Sequence, residues 1–424
     1  MRLLLRATLC CLLLNLCLLL SGGGFVQAAD ASKEAAVTGA APLAVAAEPA
    51  PRAADPGGSG HRTFIANGDV KIPVVVVRGT PYQMGWHLGR LCAPEMKQFV
   101  PAAVAGFKQE LQVDDATLDR TWATTAAYTD LRVQQQLVGA AEGSGLPLRL
   151  LQHVHCLPLL MPYSCSCISA WGDATEDGHL YQTRNLDWAL EAGAHEFPVL
   201  IVYLPTDGEA HVTPSFTGFF GAHCGMNAAG VVLSEIGDAP AREMPYNLHA
   251  PHFTAWFRTL LYDAQSLTDA LALFRQTPQT KRYHFVFGDG LHDKRAVKIR
   301  VAAPLGAEPQ IDVWSDAAAD DELAPHTLSD LVYHDEGRGA FPTLEAERGK
   351  INGPSLVALA NQIPIKGGNV MNVVFDATAM RLWVSYAGGD KEAYQRPYVT
   401  LDLTKLDADA DGRPDWPSPR VAVK

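Results

Sequence analysis

The sequence predicts a protein of the α+β class. Runs of β-branched and aromatic residues outnumber the helical segments, and they come in hairpin-like pairs around turns rich in Gly and Asp. Such pairs favour antiparallel sheets flanked by helices over a doubly wound parallel sheet. The chain has 424 residues, of which 48% are hydrophobic and 19% charged. That composition is typical of a globular protein and excludes a collagen, a coiled coil or a wholly disordered chain.

The individual elements follow from local patterns. Thr80-Pro81-Tyr82-Gln83 is a capping box with Pro in the first helical position, and it predicts a helix start. Ser266 and Asp269 form a second cap. Helices are predicted over 115–140, ending near Gly143, and at 251–263, 266–276 and 354–362. Strands are predicted at 74–77, 198–204, 211–217, 229–236, 283–288, 296–301, 371–376 and 381–386.

The first residues indicate a targeting segment. Arg2 and Arg6 precede an apolar stretch from Leu9 to Leu20, and Val26-Gln27-Ala28 has the small-x-small pattern of a cleavage site. We therefore expect residues 1–28 to be a signal peptide and the protein to be exported, to the periplasm or outside the cell. The Ala-, Pro- and Gly-rich residues 29–62 predict a disordered leader, with the ordered domain starting near Thr63.

The charge balance excludes several classes of partner. There are 34 Lys+Arg against 46 Asp+Glu, a formal charge of −12. A general nucleic-acid binder or a protein that docks on anionic membranes would be basic. After the signal peptide, the sequence has no apolar window long enough to span a bilayer, so no transmembrane segment is expected in the mature chain. The sequence does not indicate the oligomeric state.

The cysteine count gives the first hint of chemistry. Of 8 Cys, three lie in the predicted signal peptide. Five remain: Cys92, Cys156, Cys165, Cys167 and Cys224. An odd number in an exported protein leaves at least one thiol unpaired or bridged to another molecule.

The motif that carries the functional prediction is a hairpin. The segment SCSCISAW, residues 164–171, is followed by a polar turn and then by Arg184-Asn185-Leu186-Asp187-Trp188. Arg184 and Asp187 stand 19 and 22 residues after Cys165. Further segments precede and follow it in a fixed order: GTPYQMGWHLG at 79–89, LVGAAEG at 137–143, GMNAAG at 225–230 and NVVFD at 372–376.

In these segments the chain resembles the N-terminal-nucleophile cysteine hydrolases, above all the isopenicillin-N acyltransferase-like self-processing enzymes, with acid ceramidases and choloylglycine hydrolases as more distant relatives. The resemblance implies a four-layer αββα fold and self-cleavage of the Ser164–Cys165 bond. It also implies a propeptide-like helical segment at 63–164, which would be the small chain, and a catalytic domain at 165–400. Asp187 would hold the freed α-amine of Cys165, and Arg184 would favour the thiolate. Taken alone, Arg184 and Asp187 would be read as an ordinary surface ion pair.

Two cysteines compete for the role of nucleophile. Strand alternation puts Cys165 and Cys167 on the same face, so geometry does not separate them. Family spacing counted back from Ile168 favours Cys165. A Cys165–Cys167 disulfide would be strained and would disable the mechanism.

The oxyanion donor is a separate question. The family's Asn corresponds by resemblance to His284, whose ring N–H can also donate to an oxyanion. Asn227 is the second candidate, with a turn role equally consistent with the Ala-Ala-Gly that follows it.

An acidic motif lies near the C-terminus, in the segment 401–424 that is expected to be an acidic tail. Asp407, Asp409, Asp411 and Asp415 occupy positions 1, 3, 5 and 9 of a loop with Gly412 at position 6, like the front half of an EF-hand. Position 12 is Ser418 where a bidentate Glu belongs. The alternatives are a weak structural Ca²⁺ site and a solvated tail; no cofactor is expected for the chemistry.

Three functional hypotheses remain open at this level. The first is an exported self-processing thiol hydrolase or acyltransferase that cleaves a linear amide C–N bond of a small-molecule acyl amide through a thioester on Cys165. The second is a non-catalytic exported binding protein on the same fold. The third is a thiol-redox or metal-handling protein that uses Cys165 and Cys167.

Overall fold

A computed structural model describes residues 56–160, 164–237, 247–303, 306–317, 326–334, 339–363 and 368–417. They belong to one compact unit, Ala46–Lys424. The predicted signal peptide lies outside the described residues, as does the predicted leader up to residue 55. None of the described helices is long and apolar enough to cross a membrane.

The N-terminal third of the described chain is mainly helical, and the remainder is rich in strands. The helices are α1 Pro81–Leu91, α2 Ala93–Leu111, α3 Asp115–Ala126, α4 Leu131–Ser144, α5 Leu148–Leu160, α6 Phe253–Asp263, α7 Leu267–Gln276, α8 Phe341–Ala346 and α9 Gly353–Leu359. The strands are β1 Ser59–Asn67, β2 Val70–Gly79, β3 Ser164–Gly172, β4 Gly178–Asp187, β5 Pro198–Pro205, β6 His211–Phe216, β7 Cys224–Asn227, β8 Val231–Gly237, β9 Tyr283–Asp289, β10 Arg295–Ala302, β11 Gln310–Trp314, β12 His326–Leu328, β13 Leu331–His334, β14 Asn369–Asp376, β15 Arg381–Tyr386 and β16 Val399–Asp402.

The eight strand predictions each fall on an observed strand, and the helix caps are confirmed. Thr80 accepts from the Gln83 N–H and completes its capping box, and Ser266 accepts from the Asp269 N–H. The predicted helical stretch 115–140 is divided, because Asp130 caps a new helix. Helices α2 and α5 were not predicted; each carries an internal proline, Pro101 and Pro158.

The strands form one hydrogen-bonded network with the β3–β4 hairpin near its middle. Its main path runs β1-β2-β5-β6-β7-β8-β3-β4-β14-β15-β16, with β9, β10, β11, β12 and β13 branching from it. The β2–β5 pair is parallel, and the other pairs of described strands are antiparallel. The hairpin β3–β4 is flanked by β8 and β13 on one side and by β14 on the other.

Apolar side chains on the two faces of the strands pack into different cores. Cys165 and Val286 belong to the largest core, which α1–α5 also help to form. On the other face of β3, Ile168 packs with α8 and α9. On the other face of β9, Phe285 packs with α6 and α7. Helices α1–α5 therefore pack into the main core, and α6–α9 cover the opposite faces of β3 and β9, in agreement with the expected layered αββα fold.

The segments GTPYQMGWHLG at 79–89 and LVGAAEG at 137–143 pack against each other. A Cβ on Gly85 of α1 would lie 2.0 Å from the Gln136 carbonyl oxygen, and a Cβ on Gly139 of α4 would lie 2.1 Å from the Tyr82 oxygen. Real side chains do not tolerate such approaches, so glycine at these positions lets the two helix backbones touch. The glycines of both segments therefore serve a packing role in the helical layer.

Two predicted boundaries are wrong, and the segment 63–164, which was predicted to be helical, also contains strands. Strand β1 begins at Ser59, inside the predicted leader 29–62. Strand β2 pairs with β5, so the segment 63–164 contributes strands to the same sheet as the segment 165–400. The expected tail 401–424 contains the end of β16 and the buried side chains of Leu406 and Trp416. Local composition did not predict these features. Strand pairing and the burial of single apolar side chains depend on residues that are distant in the sequence.

Candidate active site

The predicted hairpin is present, and its register orders the site. Cys165 lies opposite Leu186, and Ser164 opposite Asp187. Because directly paired residues of antiparallel strands share a face, the side chains of Cys165, Cys167, Arg184 and Leu186 lie on the same side. Asp187 is the last residue of β4, at the end of the hairpin where β3 begins with Ser164 and Cys165. The structure thus brings the three predicted residues together at the open end of one hairpin.

Arg184 is a buried ion-pair partner of Glu235. Its Nη2 lies 3.1 Å from the Glu235 Oε2, and both side chains are fully buried. Its Nη1 donates to the carbonyl oxygen of Asn185 at 2.8 Å. This burial excludes the surface ion pair considered from sequence. Glu235 was not among the predicted site residues; the available signal was a lone carboxylate in the largely apolar run of β8.

Asp187 is held by an amide that the sequence reading also missed. The Asn369 Nδ2 donates to Asp187 Oδ1 at 2.8 Å, and Asp187 is only 3% exposed. Asn369 begins β14, which pairs with β4. The NVVFD segment, noticed as a late motif, begins three residues further on at Asn372. The partner of Asp187 therefore lies just outside the motif.

Burial and the charges of Arg184, Glu235 and Asp187 together set the pKa of the Cys165 thiol. Burial raises its pKa above the ordinary value, the positive charge of Arg184 opposes the rise, and Glu235 and Asp187 add to it. The backbone N–H of Asp187 also donates to the sulfur and favours the thiolate. The buried thiol is protonated near neutral pH, so it needs a base before it can attack a carbonyl.

Cys167 is committed to a different contact. Its thiol donates to the Thr183 carbonyl oxygen at 2.9 Å, and burial raises its pKa to about 12. The five cysteines of the described residues are buried, free thiols, so Cys165 and Cys167 do not form a disulfide. Between the two, Cys167 has the surroundings of a structural thiol.

His284 lies in the same row of the sheet as the end of the hairpin. It pairs with Gly237, which in turn pairs with Ser164. Its ring stacks on that of His334 with centroids 4.9 Å apart. Burial, followed by the positive charge of Lys298, lowers its pKa far below the ordinary value, so the imidazole is neutral. His334, which the sequence reading missed, lies opposite Cys167 on β13.

Asn227 is a turn residue, which corrects its candidacy as an oxyanion donor. Its Nδ2 donates to the carbonyl oxygens of Leu261 and Ala264 at 3.2 and 2.8 Å. Its Oδ1 accepts from the backbone N–H groups of Ala229 and Val231. The amide is fully engaged in closing the β7–β8 turn against α6, so it has no proton to offer an oxyanion.

An apolar cavity borders the hairpin. It is partly open to solvent, and its lining is predominantly apolar. Leu186, opposite Cys165, and Trp188, which follows Asp187, form one wall. The remaining lining residues come from α2, α5 and the segment 194–223: Phe99, Phe107, Val154, Leu157, Pro158, Ala194, Phe216, Phe219 and His223. The chemistry of this lining suits an apolar group larger than a methyl.

Helix α5, which precedes the hairpin, is tied to the cavity wall through His155. The ring Nδ1 lies 2.6 Å from the Leu151 carbonyl oxygen, and Nε2 accepts from the Phe220 N–H at 2.9 Å. The ring also stacks on Phe219, with centroids 4.7 Å apart. Burial lowers the pKa of His155 to about 4, so the ring is neutral at physiological pH.

The acidic motif forms an exposed loop away from these contacts. One carboxylate oxygen from each of Asp407, Asp409 and Asp411 lies within 4.8 Å of the others. The Asp407 carboxylate accepts from the Asp411 and Gly412 N–H groups. Asp415 departs from the expected ligand set: it accepts from the Ala408 N–H at 2.8 Å and lies 3.7 Å from Arg78.

No protein-family profile matches the chain. A curated relative is the protein dcd1B of Dictyostelium discoideum, 24% identical over 388 residues, which cover 79% of this chain and 75% of the relative. At this identity the alignment indicates similarity along most of the chain without assigning it to a family.

Two solved structures are similar at low identity. The Caenorhabditis elegans ortholog of N-acylethanolamine-hydrolyzing acid amidase is 12% identical with a TM-score of 0.39, and the match covers 56% of this chain and 100% of that one. The penicillin V acylase of Agrobacterium tumefaciens is 16% identical with a TM-score of 0.39, covering 57% of this chain and 88% of that one.

Proposed function

We propose that this chain is an exported, self-processing thiol hydrolase of the isopenicillin-N acyltransferase-like kind, acting on a linear amide bond of an acyl amide. The observation that carries the proposal is that Cys165, Arg184 and Asp187 of one buried hairpin lie close to one another and to Glu235 of β8. Perturbed titratable groups gathered beside a cavity are typical of a catalytic centre.

Self-processing is the first step of the proposed mechanism. The Cys165 sulfur attacks the carbonyl carbon of Ser164 as the thiol loses its proton. The C–N bond breaks, the nitrogen takes up the proton that the thiol has lost, and Ser164 is held to the sulfur as a thioester. Water then hydrolyses the thioester, which leaves a carboxylate on Ser164 and a thiol and a free α-amine on Cys165.

The freed amine then serves as the base. Its ordinary pKa of roughly 8 lets it take the thiol proton near neutrality. The sulfur attacks the acyl carbon of the substrate, the proton passes to the leaving amine, and an acyl-thioester remains on Cys165. Water attacks this thioester and releases the acid. Substrate, water and residues of the chain balance every step, so the proposal requires no cofactor.

The individual side chains have distinct parts in this scheme. Arg184, neutralised in part by Glu235, favours the thiolate. Ionised Asp187 accepts from the nitrogen of Cys165 in both stages: it favours protonation of this nitrogen as the peptide bond breaks, and it then holds the freed α-amine close to the sulfur. His284 donates a ring N–H to the oxyanion, a role for which a neutral imidazole is suited. The cavity bounded by Leu186 and Trp188 takes the acyl group, so we propose an apolar acyl chain or ring in the substrate.

Hydrolysis is proposed over acyl transfer because of the expected location. An exported enzyme lacks ready access to cytosolic acyl-CoA, whereas water is always present. Sequencing the N-terminus of the protein recovered outside the cytoplasm tests the location: a start near residue 29 supports export, and an intact Met1 in a cytoplasmic fraction contradicts it.

The decisive experiment is the intact mass of the purified protein beside Cys165→Ala and Cys167→Ala. We expect two fragments that divide between Ser164 and Cys165 in the wild type and in Cys167→Ala, and a single chain in Cys165→Ala. A single chain in all three would overturn the mechanism and favour the binding-protein hypothesis. Fragments lost only in Cys167→Ala would move the nucleophile to Cys167.

A further inference from the structure

We infer that Asn369 is a positioning residue for this site and fixes the carboxylate of Asp187 in the orientation that the reaction needs. The inference rests on the proposed function, since it assigns a role within the proposed mechanism. Its starting point is a hydrogen bond of 2.8 Å from Asn369 Nδ2 to Asp187 Oδ1, between two side chains that are 1% and 3% exposed.

The orientation of the Asn369 amide is set by its backbone surroundings. Its Oδ1 accepts from the Tyr394 N–H at 3.0 Å, so its Nδ2 must face Asp187 as the donor. The backbone N–H of Asn369 donates to Glu392 Oε2 at 3.1 Å. A carboxylate cannot take the place of this amide without losing the bond to the Tyr394 N–H or the bond to Asp187.

The same nitrogen serves a second acceptor, which leaves the amide little freedom to turn. Asn369 Nδ2 lies 2.7 Å from Asn372 Oδ1, so its two protons are directed at Asp187 and Asn372. A buried amide with both ends engaged holds its partner rigidly, because every rotation breaks a bond in a dry environment. The short loop that carries Glu392 and Tyr394 thus acts on Asp187 through Asn369.

Removing the donor has a definite electrostatic consequence. A hydrogen bond to the charged form of a carboxyl favours that form, so its loss raises the pKa of Asp187. The other titratable and charged groups of the site are Cys165 on β3, Arg184 on β4, Glu235 on β8 and Glu392 in the loop. A step that needs ionised Asp187 then begins at a higher pH.

The test follows the rate of self-cleavage before Cys165 against pH, by intact mass, in the full chain. The chain is its own substrate, so no unidentified ligand is needed. We expect Asn369→Ala to slow cleavage about 10- to 100-fold, the loss typical of one hydrogen bond to a charged group, and to move the acidic limb of the pH profile upward. Asn369→Asp should be slower still, because it sets a second carboxylate against Asp187.

Ser385→Ala is the matched control. Ser385 is fully buried and its Oγ donates to the Ala393 carbonyl oxygen at 2.7 Å, in the same loop but without contact to Asp187. Its cleavage rate and pH profile should equal those of the wild type. If Asn369→Ala does not fold, Glu392→Ala removes the support from a partly exposed position and should give a smaller change in the same direction.

The outcomes separate the two proposals. A wild-type chain that is never cleaved overturns the proposed function itself. A wild type that is cleaved, beside an Asn369→Ala variant with the rate and pH profile of Ser385→Ala, overturns the positioning role alone. A slower Asn369→Ala with an unshifted pH profile also contradicts it, because a merely structural defect would give that result.

Discussion

Two acidic segments of the chain contrast sharply. Asp187 is buried at the end of a hairpin and is held by a side chain 182 residues away in sequence. Asp407, Asp409 and Asp411 are exposed, and their hydrogen bonds go to backbone groups a few residues along the same loop. Both segments match a sequence motif. Burial and partners from distant strands therefore distinguish the two segments better than the quality of either motif.

The largest effect is expected at the buried ion pair. Replacing Arg184 by Ala leaves Glu235 charged and buried without its partner, which typically costs about 3–5 kcal/mol in the free energy of unfolding. Urea denaturation measures the loss. The double replacement Arg184→Met with Glu235→Leu should cost much less than either single change. A loss below about 1 kcal/mol in Arg184→Ala would show that the pair is not desolvated.

Acid should destabilise the buried region through His155. Its pKa in the folded protein is about 4, below the ordinary value of 6.5, so the unfolded chain binds the proton more readily. The stabilisation is complete above about pH 6.5 and is lost as the pH falls toward 4. Each such proton contributes a slope of about 1.4 kcal/mol per pH unit.

The measurement is the free energy of unfolding between pH 7 and pH 4 in the wild type and in His155→Gln. The variant should be less stable at pH 7 and show a shallower dependence on pH. Equal slopes in the two proteins would show that other groups, such as His223 with its pKa of about 3, carry the effect.

An intermediate effect on the free energy of unfolding is expected at Asp415, which is less buried than the hairpin site and less exposed than the acidic loop. Its side chain is 10% exposed, and it accepts a hydrogen bond from the Ala408 N–H. Asp415→Ala should lower the free energy of unfolding by about 1 kcal/mol, as for a lost cap or turn bond. Chemical denaturation checks it, and a loss as large as that of Arg184→Ala would remove the contrast between the segments.

The smallest effect is expected in the acidic loop itself. Asp409→Asn should change the free energy of unfolding by no more than about 0.5 kcal/mol in metal-free buffer, because the carboxylate is exposed. We expect the melting temperature to be insensitive to millimolar Ca²⁺ in both proteins. A rise with Ca²⁺ that Asp409→Asn abolishes would identify the loop as a metal site and overturn the prediction.

The sequence reading succeeded where local patterns are self-sufficient. The caps at Thr80 and Ser266 and the hairpin at 164–187 depend on neighbours within a few residues, and all three are present. Local patterns did not predict the hydrogen-bond and ion-pair partners that come from distant parts of the chain. Glu235 and Asn369 have no motif of their own, and Asn227 fits a motif whose bonds to α6 are invisible in the sequence.

For the proposed catalytic residues, too, the sequence predicted one part and the structure supplied another. Resemblance to the family's pattern selected Cys165, Arg184 and Asp187, and the structure places all three toward one end of the hairpin. The choice of Cys165 over Cys167 rested on register within the family. The structure adds an independent reason, because Cys167 donates to Thr183 and so has the surroundings of a structural thiol.

By itself the amino-acid sequence determined the α+β class, most strands, the helix caps and the hairpin that carries Cys165, because alternation, turns and caps act over short distances. Only the tertiary structure decided that Arg184 pairs with Glu235 and that Asn369 holds Asp187. It alone also decided that the strands of the N-terminal segment belong to the same sheet as the hairpin. These choices depend on which strands lie side by side, and strand order is set by burying apolar faces against residues far away in the chain.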